Sequence, residues 1–197
     1  MFEHLFAGEL VFLLLGKLLG FTITPLFLIV GAFWGFAPDI FSYFVNHKLN
    51  YHSKYFHLHR DNLSHSLFLP VIIFLVTFLI GGWKISLLIS VAALTHPLLD
   101  LFGIGWGVKL FLPFSQKVYK IFYQGRFLTI FKDAKDRDRH IRKYEVDDWF
   151  RRDYLSLRQD TYGVPWWWAI LEWTSLAIAV ILPLFYFILN NRITWLK

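Results

Sequence analysis

Residues 57–66 read His57-Leu58-His59-Arg60-Asp61-Asn62-Leu63-Ser64-His65-Ser66. This polar stretch stands directly before a long apolar run, Leu67 to Gly82, which is typical of a membrane helix. Three histidines, an arginine and an aspartate therefore lie just before the start of a predicted span. Imidazole is the commonest metal ligand and changes charge near neutral pH, so the stretch predicts where a helix begins and where polar chemistry is concentrated.

The composition favours a multi-pass membrane protein. Hydrophobic residues make up 56% of the 197 residues and aromatic residues 20%. Only 17% of the residues are charged, whereas soluble domains carry about 25%. The chain has no cysteine, which excludes thiolate metal sites, disulfides and cysteine nucleophiles. Any metal must be held by imidazole and carboxylate groups.

Hydrophobic runs predict an all-α fold, a multi-pass membrane helical bundle of about five transmembrane helices. Two turns separate neighbouring runs, one at Gly20 to Pro25 and one at Gly81 to Lys84. The five runs are Leu5–Gly20, Pro25–Phe44, Leu67–Gly82, Ile85–Phe102 and Trp166–Leu189.

The sequence between the fourth and fifth runs is of a different kind. Gly103 to Phe131 mixes aromatic and basic residues, and it fits either an interfacial helix or a short hairpin around Gln124-Gly125. Asp133 to Gln159 is strongly charged, with apolar residues spaced for one helical face. This spacing predicts a charged amphipathic helix on the membrane surface.

Basic residues predict the orientation of the chain. The loops at 46–66 and 103–165 hold 16 of the 20 Lys and Arg residues, and with five spans they share one side. The positive-inside rule then places these basic loops and the N-terminus in the cytoplasm. We therefore expect a multi-pass protein of the cell's inner membrane.

An ionisable residue within a span costs about 2.5–3.5 kcal/mol and usually faces a partner or a cavity. Of the seven such residues, which include Glu9, Lys17 and Glu172, four have no obvious cationic neighbour within a helical turn and are candidates for one shared site. They are His4, Asp39, His96 and Asp100. The i, i+4 spacing of His96 and Asp100 puts both on one helix face. They could bind one metal ion, the aspartate could orient the imidazole, or the two could form a structural hydrogen-bonded pair.

Helical rise predicts that these residues share one depth. Counted from the outer turns, His4, Asp39, His65, His96 and Asp100 lie about 18–25 Å toward the cytoplasm. The hydrocarbon core is about 30 Å thick. The side chains are therefore expected to converge inside a helical bundle.

The combination of motifs resembles the YdjM-like (LexA-regulated) family of inner-membrane metal-dependent hydrolases. The resemblance covers about residues 1–115. It rests on His4, Pro38-Asp39, His59-Arg60 with Ser64-His65-Ser66, Thr95-His96 with Asp100, and Gly107 with Leu110-Phe111-Leu112-Pro113. The resemblance implies a hydrolase-like membrane domain over residues 1–115. Composition and the hydrophobic runs divide the rest into a basic cytoplasmic or interfacial segment (116–165) and a C-terminal transmembrane helix with its tail (166–197).

Two positions depart from the family pattern. Phe41 stands where the family often has a second aspartate, which removes a possible ligand. Asp61 follows the His-Arg pair where glycine is usual.

The resemblance implies a metal-dependent hydrolase with a divalent ion, zinc being the expected one, that acts on a phosphoester at the cytoplasmic membrane face. It implies His59 and Arg60 as catalytic residues, Arg60 holding a phosphate oxygen. The expected partners are membrane lipids and a small-molecule or lipid-linked phosphoester, and no nucleic acid. The implied metal ligands are Asp39, His65, His96 and Asp100, with His4 and His59 as further ligands.

Two other functions fit the same residues. Intramembrane histidines and carboxylates also serve transporters of metal ions or protons. A non-catalytic membrane protein could use the cluster as a structural metal or hydrogen-bond site, its basic segment recruiting a partner or anionic lipids.

Overall fold

A computed structural model describes residues 2–47, 60–102, 107–123, 126–141 and 166–195. The chain divides into two compact units. The first comprises Met1–Ala37, Pro70–His96 and Leu171–Lys197, and the second comprises Pro38–Leu69 and Pro97–Ile170. The elements in chain order are α1 (Phe2–Leu18), α2 (Pro25–His47), a 3-10 turn (Leu63–His65), α3 (Phe68–Phe102), β1 (Val118–Tyr123), β2 (Arg126–Phe131), α4 (Ala134–Ile141) and α5 (Trp166–Trp195).

The helices match the predicted apolar runs, with the third and fourth runs joined in α3. Among the described residues, two helices are long and apolar enough to cross a membrane, at Pro25–Ser42 and Phe68–Phe102. A shorter apolar segment, Trp173–Leu189, lies within α5. The structure therefore gives a mostly helical protein with two candidate spans. The count of about five spans stays a prediction.

Helix α3 reverses direction at Gly82. A straight helix of its 35 residues would be about 52 Å long. However, His65, just before its start, lies 3.5 Å from Asp100, near its end. Gly82 alone has non-helical dihedral angles, φ 71° and ψ 174°, which favour glycine. The predicted turn at this position is therefore present, and it separates two helical arms.

In the first unit, α1 and α2 approach closely through three glycines. A Cβ atom added to Gly8 would collide with the carbonyl oxygen of Gly31, and one added to Gly35 would collide with that of His4. A Cβ atom on Gly31 would lie 2.7 Å from the carbonyl oxygen of Gly8. Small residues spaced by four allow membrane helices to bring their backbones together. This contact brings His4 of α1 beside α2.

Apolar packing completes the first unit. Phe12 of α1 packs with Leu88 and Ala92 of α3, all fully or almost fully buried. Nζ of Lys84 donates to the carbonyl oxygen of Leu19 at 2.9 Å, just past the end of α1. Elsewhere on α3 several large apolar side chains are exposed, as at Leu79 (85% exposed) and Ile80 (86%). This pattern suits a helix surrounded by lipid.

The second unit contains an antiparallel hairpin, so the all-α prediction is corrected in this segment. β1 pairs with β2, with Val118 opposite Phe131 and Tyr123 opposite Arg126. The hairpin alternative for 103–131 is thus the observed one, because β-branched and aromatic residues favour strands. Leu101 of α3 packs with Val108 and Leu110, and Tyr119 and Ile121 of β1 lie against this core.

The predicted surface helix is described over only part of its length. α4 covers Ala134–Ile141, and its Arg137 is fully buried, which the prediction of a charged amphipathic helix on the membrane surface did not foresee. Trp149, Phe150, Tyr154 and Leu157, on which the amphipathic pattern rests, lie outside the described residues. The domain limits at 115 and 165 stay predictions.

Candidate functional site

The polar stretch before α3, called the box below, covers residues 60–66. It contains the 3-10 turn Leu63–His65, of which His65 is the last residue. Oδ1 of Asn62 accepts a hydrogen bond from the backbone N–H of Ser64 at 3.0 Å and caps the turn. The Ser66 hydroxyl donates to the carbonyl oxygen of Leu63 at 2.8 Å and accepts from the backbone N–H of Phe68 at 3.2 Å. The turn is thereby fixed to the first residue of α3.

Two aspartates of the second unit meet His65. Nε2 of His65 lies 3.2 Å from Oδ1 of Asp39 and 3.5 Å from Oδ2 of Asp100. Asp39 belongs to α2, and Asp100 lies near the end of α3. The His65 side chain is fully buried and that of Asp100 is 1% exposed, whereas Asp39 is 23% exposed. The cluster is therefore enclosed, with Asp39 at its accessible edge.

Ser64 and Asp39 contact the two nitrogens of the His65 ring. Oδ1 of Asn62 accepts from a backbone N–H, so it is an oxygen, and the Ser64 hydroxyl that contacts it must donate. The same hydroxyl lies 2.9 Å from Nδ1 of His65. On the other side of the ring, Nε2 lies within hydrogen-bond distance of Oδ1 of Asp39, at 3.2 Å, and also faces Asp100.

Nε2 of His65 and the two carboxylates can be bridged by a cation. The cation is either a proton on Nε2 or a metal ion among the three groups. Imidazole nitrogen and carboxylate oxygen are both zinc ligands, so the donor chemistry fits a divalent metal. His4, Asp39, His65, His96 and Asp100 belong to groups of side chains that could hold a metal ion, and metal identity is not defined by them.

Arg60 adds positive charge to this cluster. Its Nη2 lies 2.9 Å from Oδ1 of Asp100, and its side chain is 15% exposed. Arginine and one aspartate together are neutral, so the second aspartate sets the charge that a proton or metal must balance. Arg60 is also the accessible cation of the group, as a phosphate-binding residue must be.

A second arginine, which sequence reasoning missed, anchors the box from α4. Nη1 and Nη2 of Arg137 contact Oδ1 and Oδ2 of Asp61 at 2.7 and 2.9 Å. Arg137 is fully buried and the side chain of Asp61 is 12% exposed. Asn62 makes a further anchor, since its Nδ2 donates to the Ser42 hydroxyl of α2 at 2.6 Å. In the sequence, the indication of this ion pair was Asp61, which stands where the family usually has glycine.

The first unit holds its own polar group. The rings of His4 and His96 stack with centroids 3.7 Å apart and planes 21° apart. Nδ1 of His96 donates to the carbonyl oxygen of Gly35 at 2.9 Å, which places the lone pair of a neutral ring on Nε2. Nε2 of His4 lies 3.6 Å from Oε1 of Glu3. Both imidazoles are almost completely buried.

Each unit brings some of the predicted site residues together. The second unit brings Asp39, Arg60, His65 and Asp100 together, while the first unit brings His4 and His96 together. His96 stands one helical turn before Asp100 on α3. His59 lies outside the described residues. The roles assigned to these residues, as metal ligands or catalytic groups, stay predictions.

A protein-family model covers almost the whole chain. The model of the family described as YdjM inner membrane protein matches residues 1–195. No curated protein and no solved structure matches the chain. The match spans nearly the whole sequence, including the region beyond residue 115 that the motifs did not reach. This chain, with its two apolar candidate spans, belongs to the YdjM inner membrane protein family.

Proposed function

We propose that this protein is a membrane-bound, metal-dependent hydrolase that acts on a phosphoester at the cytoplasmic face of the inner membrane. One observation carries the proposal. Nε2 of a buried imidazole, His65, converges with one oxygen each of Asp39 and Asp100 within 3.5 Å. Such a donor set suits a divalent cation, and Arg60 already balances one carboxylate.

Asp39, His65 and Asp100 are the proposed ligands for the ion, and the expected ion is zinc. His96 is a further candidate because it precedes Asp100 by one turn, and His4 stacks on His96. When bound, a divalent ion supplies Lewis-acid stabilisation of negative charge on a phosphoryl oxygen.

The protein's own residues have separate tasks in this proposal. Ser64 keeps hydrogen on Nδ1 of His65 and so directs Nε2 toward the ligand position. Arg60 binds a phosphate oxygen of the substrate. A guanidinium group has five N–H donors, so its contact with Asp100 is compatible with a second bond to phosphate.

The membrane setting favours a lipid-linked phosphoester. Asp39 and Arg60 are the more accessible members of a group that is otherwise buried. The basic loops at 46–66 and 103–165 favour the cytoplasmic side for this group. A substrate headgroup would then reach the site from the cytoplasmic leaflet.

Metal analysis of the purified protein, followed by a phosphoester screen with and without chelator, tests the proposal. We expect bound zinc or another divalent ion, and hydrolysis that the chelator abolishes. Asp100→Ala and His96→Ala should each lower bound metal strongly, whereas His140→Ala, a histidine outside the ligand set, should not.

Three results would contradict parts of this proposal. Equal metal content in all three variants would indicate a structural hydrogen-bond cluster. Bound metal without hydrolysis of any phosphoester would favour a structural metal site. Metal-dependent uptake into vesicles, again without hydrolysis, would favour a transporter.

A further inference from the structure

We propose that the β1–β2 hairpin is a membrane-interface anchor that inserts its apolar tip into an anionic lipid leaflet. The apolar residues of this tip are Phe127 and Leu128, which are 73% and 50% exposed, and Ile130, 52% exposed, lies nearer the open end of the hairpin. Nearby in the sequence, Phe114 is 83% exposed. Large apolar side chains at this exposure indicate an interaction surface.

The hairpin is too short to span a membrane, so its apolar surface fits the interfacial zone of the bilayer and not the hydrocarbon core. Each strand has six residues, whereas a spanning strand needs about 9–11. An open two-stranded sheet would also bring edge N–H and C=O groups into hydrocarbon. The interfacial zone of the bilayer accepts both features, because water and headgroups reach the backbone there.

Contacts in the second unit place the hairpin at the ends of the α3 arms. Tyr119 and Ile121 of β1 pack on the cluster formed by Leu101 with Val108 and Leu110, and Leu101 lies in the last turn of α3. The ring of Phe114 makes an edge contact with Phe68, the first residue of α3, at 5.8 Å between centroids. Because α3 is a candidate span, its two ends lie near a membrane surface.

Lysines at the open end of the hairpin match anionic headgroups. Val118 pairs with Phe131, so the exposed Lys117 and Lys132 stand side by side just beyond that pair. Leu128 is four residues from Lys132, about 13 Å along the strand. Interfacial elements bury their apolar faces about 5–10 Å deep, which leaves these lysines at the level of the lipid phosphates.

The backbone at Leu128 gives a further indication. Its φ is 57°, in the left-handed region that glycine and asparagine favour. A leucine in that conformation is disfavoured by about 1–2 kcal/mol. Insertion of the leucine side chain into lipid would offset this cost.

Spin labelling tests the anchor, since the chain has no cysteine and one introduced cysteine defines one label. Full-length Phe127→Cys and Leu128→Cys proteins are labelled with a nitroxide and reconstituted in phosphatidylcholine vesicles, with or without phosphatidylglycerol. We expect both labels to collide with dissolved oxygen more than with a water-soluble nickel complex, at about 5–10 Å below the phosphates. Lys135→Cys, an exposed position on α4, should show the opposite preference.

The competing outcomes are distinct. Nickel collision at 127 and 128 equal to that at 135 would overturn the anchor. Dipolar broadening between labels, lost on dilution with unlabelled protein, would instead assign the tip to a second copy of the chain. In the labelled Phe127→Cys protein, adding Lys117→Gln and Lys132→Gln should remove any deepening caused by phosphatidylglycerol. A depth independent of both lipid charge and these lysines would overturn the preference for anionic lipid.

Discussion

Oγ of Ser64 lies 2.9 Å from Nδ1 of His65, while Nε2 of the same ring faces the two aspartates. The hydroxyl hydrogen is directed to Oδ1 of Asn62, so Ser64 can only accept from the ring. The relation links a capping residue of the 3-10 turn to the chemistry of the buried cluster.

Ser64→Ala should therefore weaken metal binding although Ser64 is not itself a ligand. Residues that orient a ligand typically contribute about 10–100-fold to metal affinity. We expect a loss of that size by titration with a metal-buffered indicator, and recovery in Ser64→Thr, which keeps the hydroxyl. Ser90→Ala, another buried serine but in the first unit, is the control. An unchanged affinity in Ser64→Ala would mean that the ring is oriented without the hydroxyl.

The Asp61–Arg137 pair predicts strong coupling between the box and α4. Removing one partner of a buried ion pair leaves the other charge uncompensated and costs about 3–5 kcal/mol. Arg137→Leu and Asp61→Gly should each lower the melting temperature, while the double variant should lose less than the sum of the two.

Lys135→Ala is the matched control for this cycle, because Lys135 is exposed on the same helix. Surface changes of this kind usually stay within about 0.5 kcal/mol. Additive losses in the double variant would show that the two side chains contribute independently. Metal titration of the same proteins would show whether α4 also positions Arg60 and His65.

The convergence of Asp39, His65 and Asp100 could be expected from the sequence, because rise per helical residue is constant and the turns at Gly20 and Gly82 mark the outer ends. The structure indeed places oxygens of both aspartates within 3.5 Å of His65. The hairpin could be foreseen only as one of two alternatives, since aromatic and β-branched residues also occur in interfacial helices.

The pairing of Arg137 could not be predicted. It stands in a run of alternating basic and acidic residues, where local pattern does not distinguish a buried arginine from a solvated one. Its burial follows from the tertiary position of α4. The stacking of His4 on His96 depends on close packing of the helices. The spacing of Gly31 and Gly35 by four residues is the sequence pattern that indicates such packing.

The distribution of basic residues predicts the membrane orientation. A reporter enzyme or fluorescent protein fused within 142–158 should be active in the cytoplasm, and one fused after Lys84 should lie outside. The reason is that 16 of the 20 Lys and Arg residues fall in the two loops assigned to one side. The reverse pattern would place the Asp39–His65–Asp100 group on the outer side and would exclude a cytoplasmic substrate.

Close approach of α1 and α2 predicts that Gly35 tolerates no side chain. A Cβ atom there would collide with the carbonyl oxygen of His4 and lie 3.0 Å from Cα of Gly8, so backbone would have to move. Gly35→Ala should destabilise the protein by about 1–3 kcal/mol, as overpacking does, and displace the carbonyl that accepts from His96. The measurement is thermal unfolding in detergent. Gly81→Ala is the control, since its Cβ would meet only the side chain of Ile85 at 3.2 Å. Equal melting temperatures for both variants would show that α1 and α2 can separate without loss, and that His4 and His96 do not depend on this glycine contact.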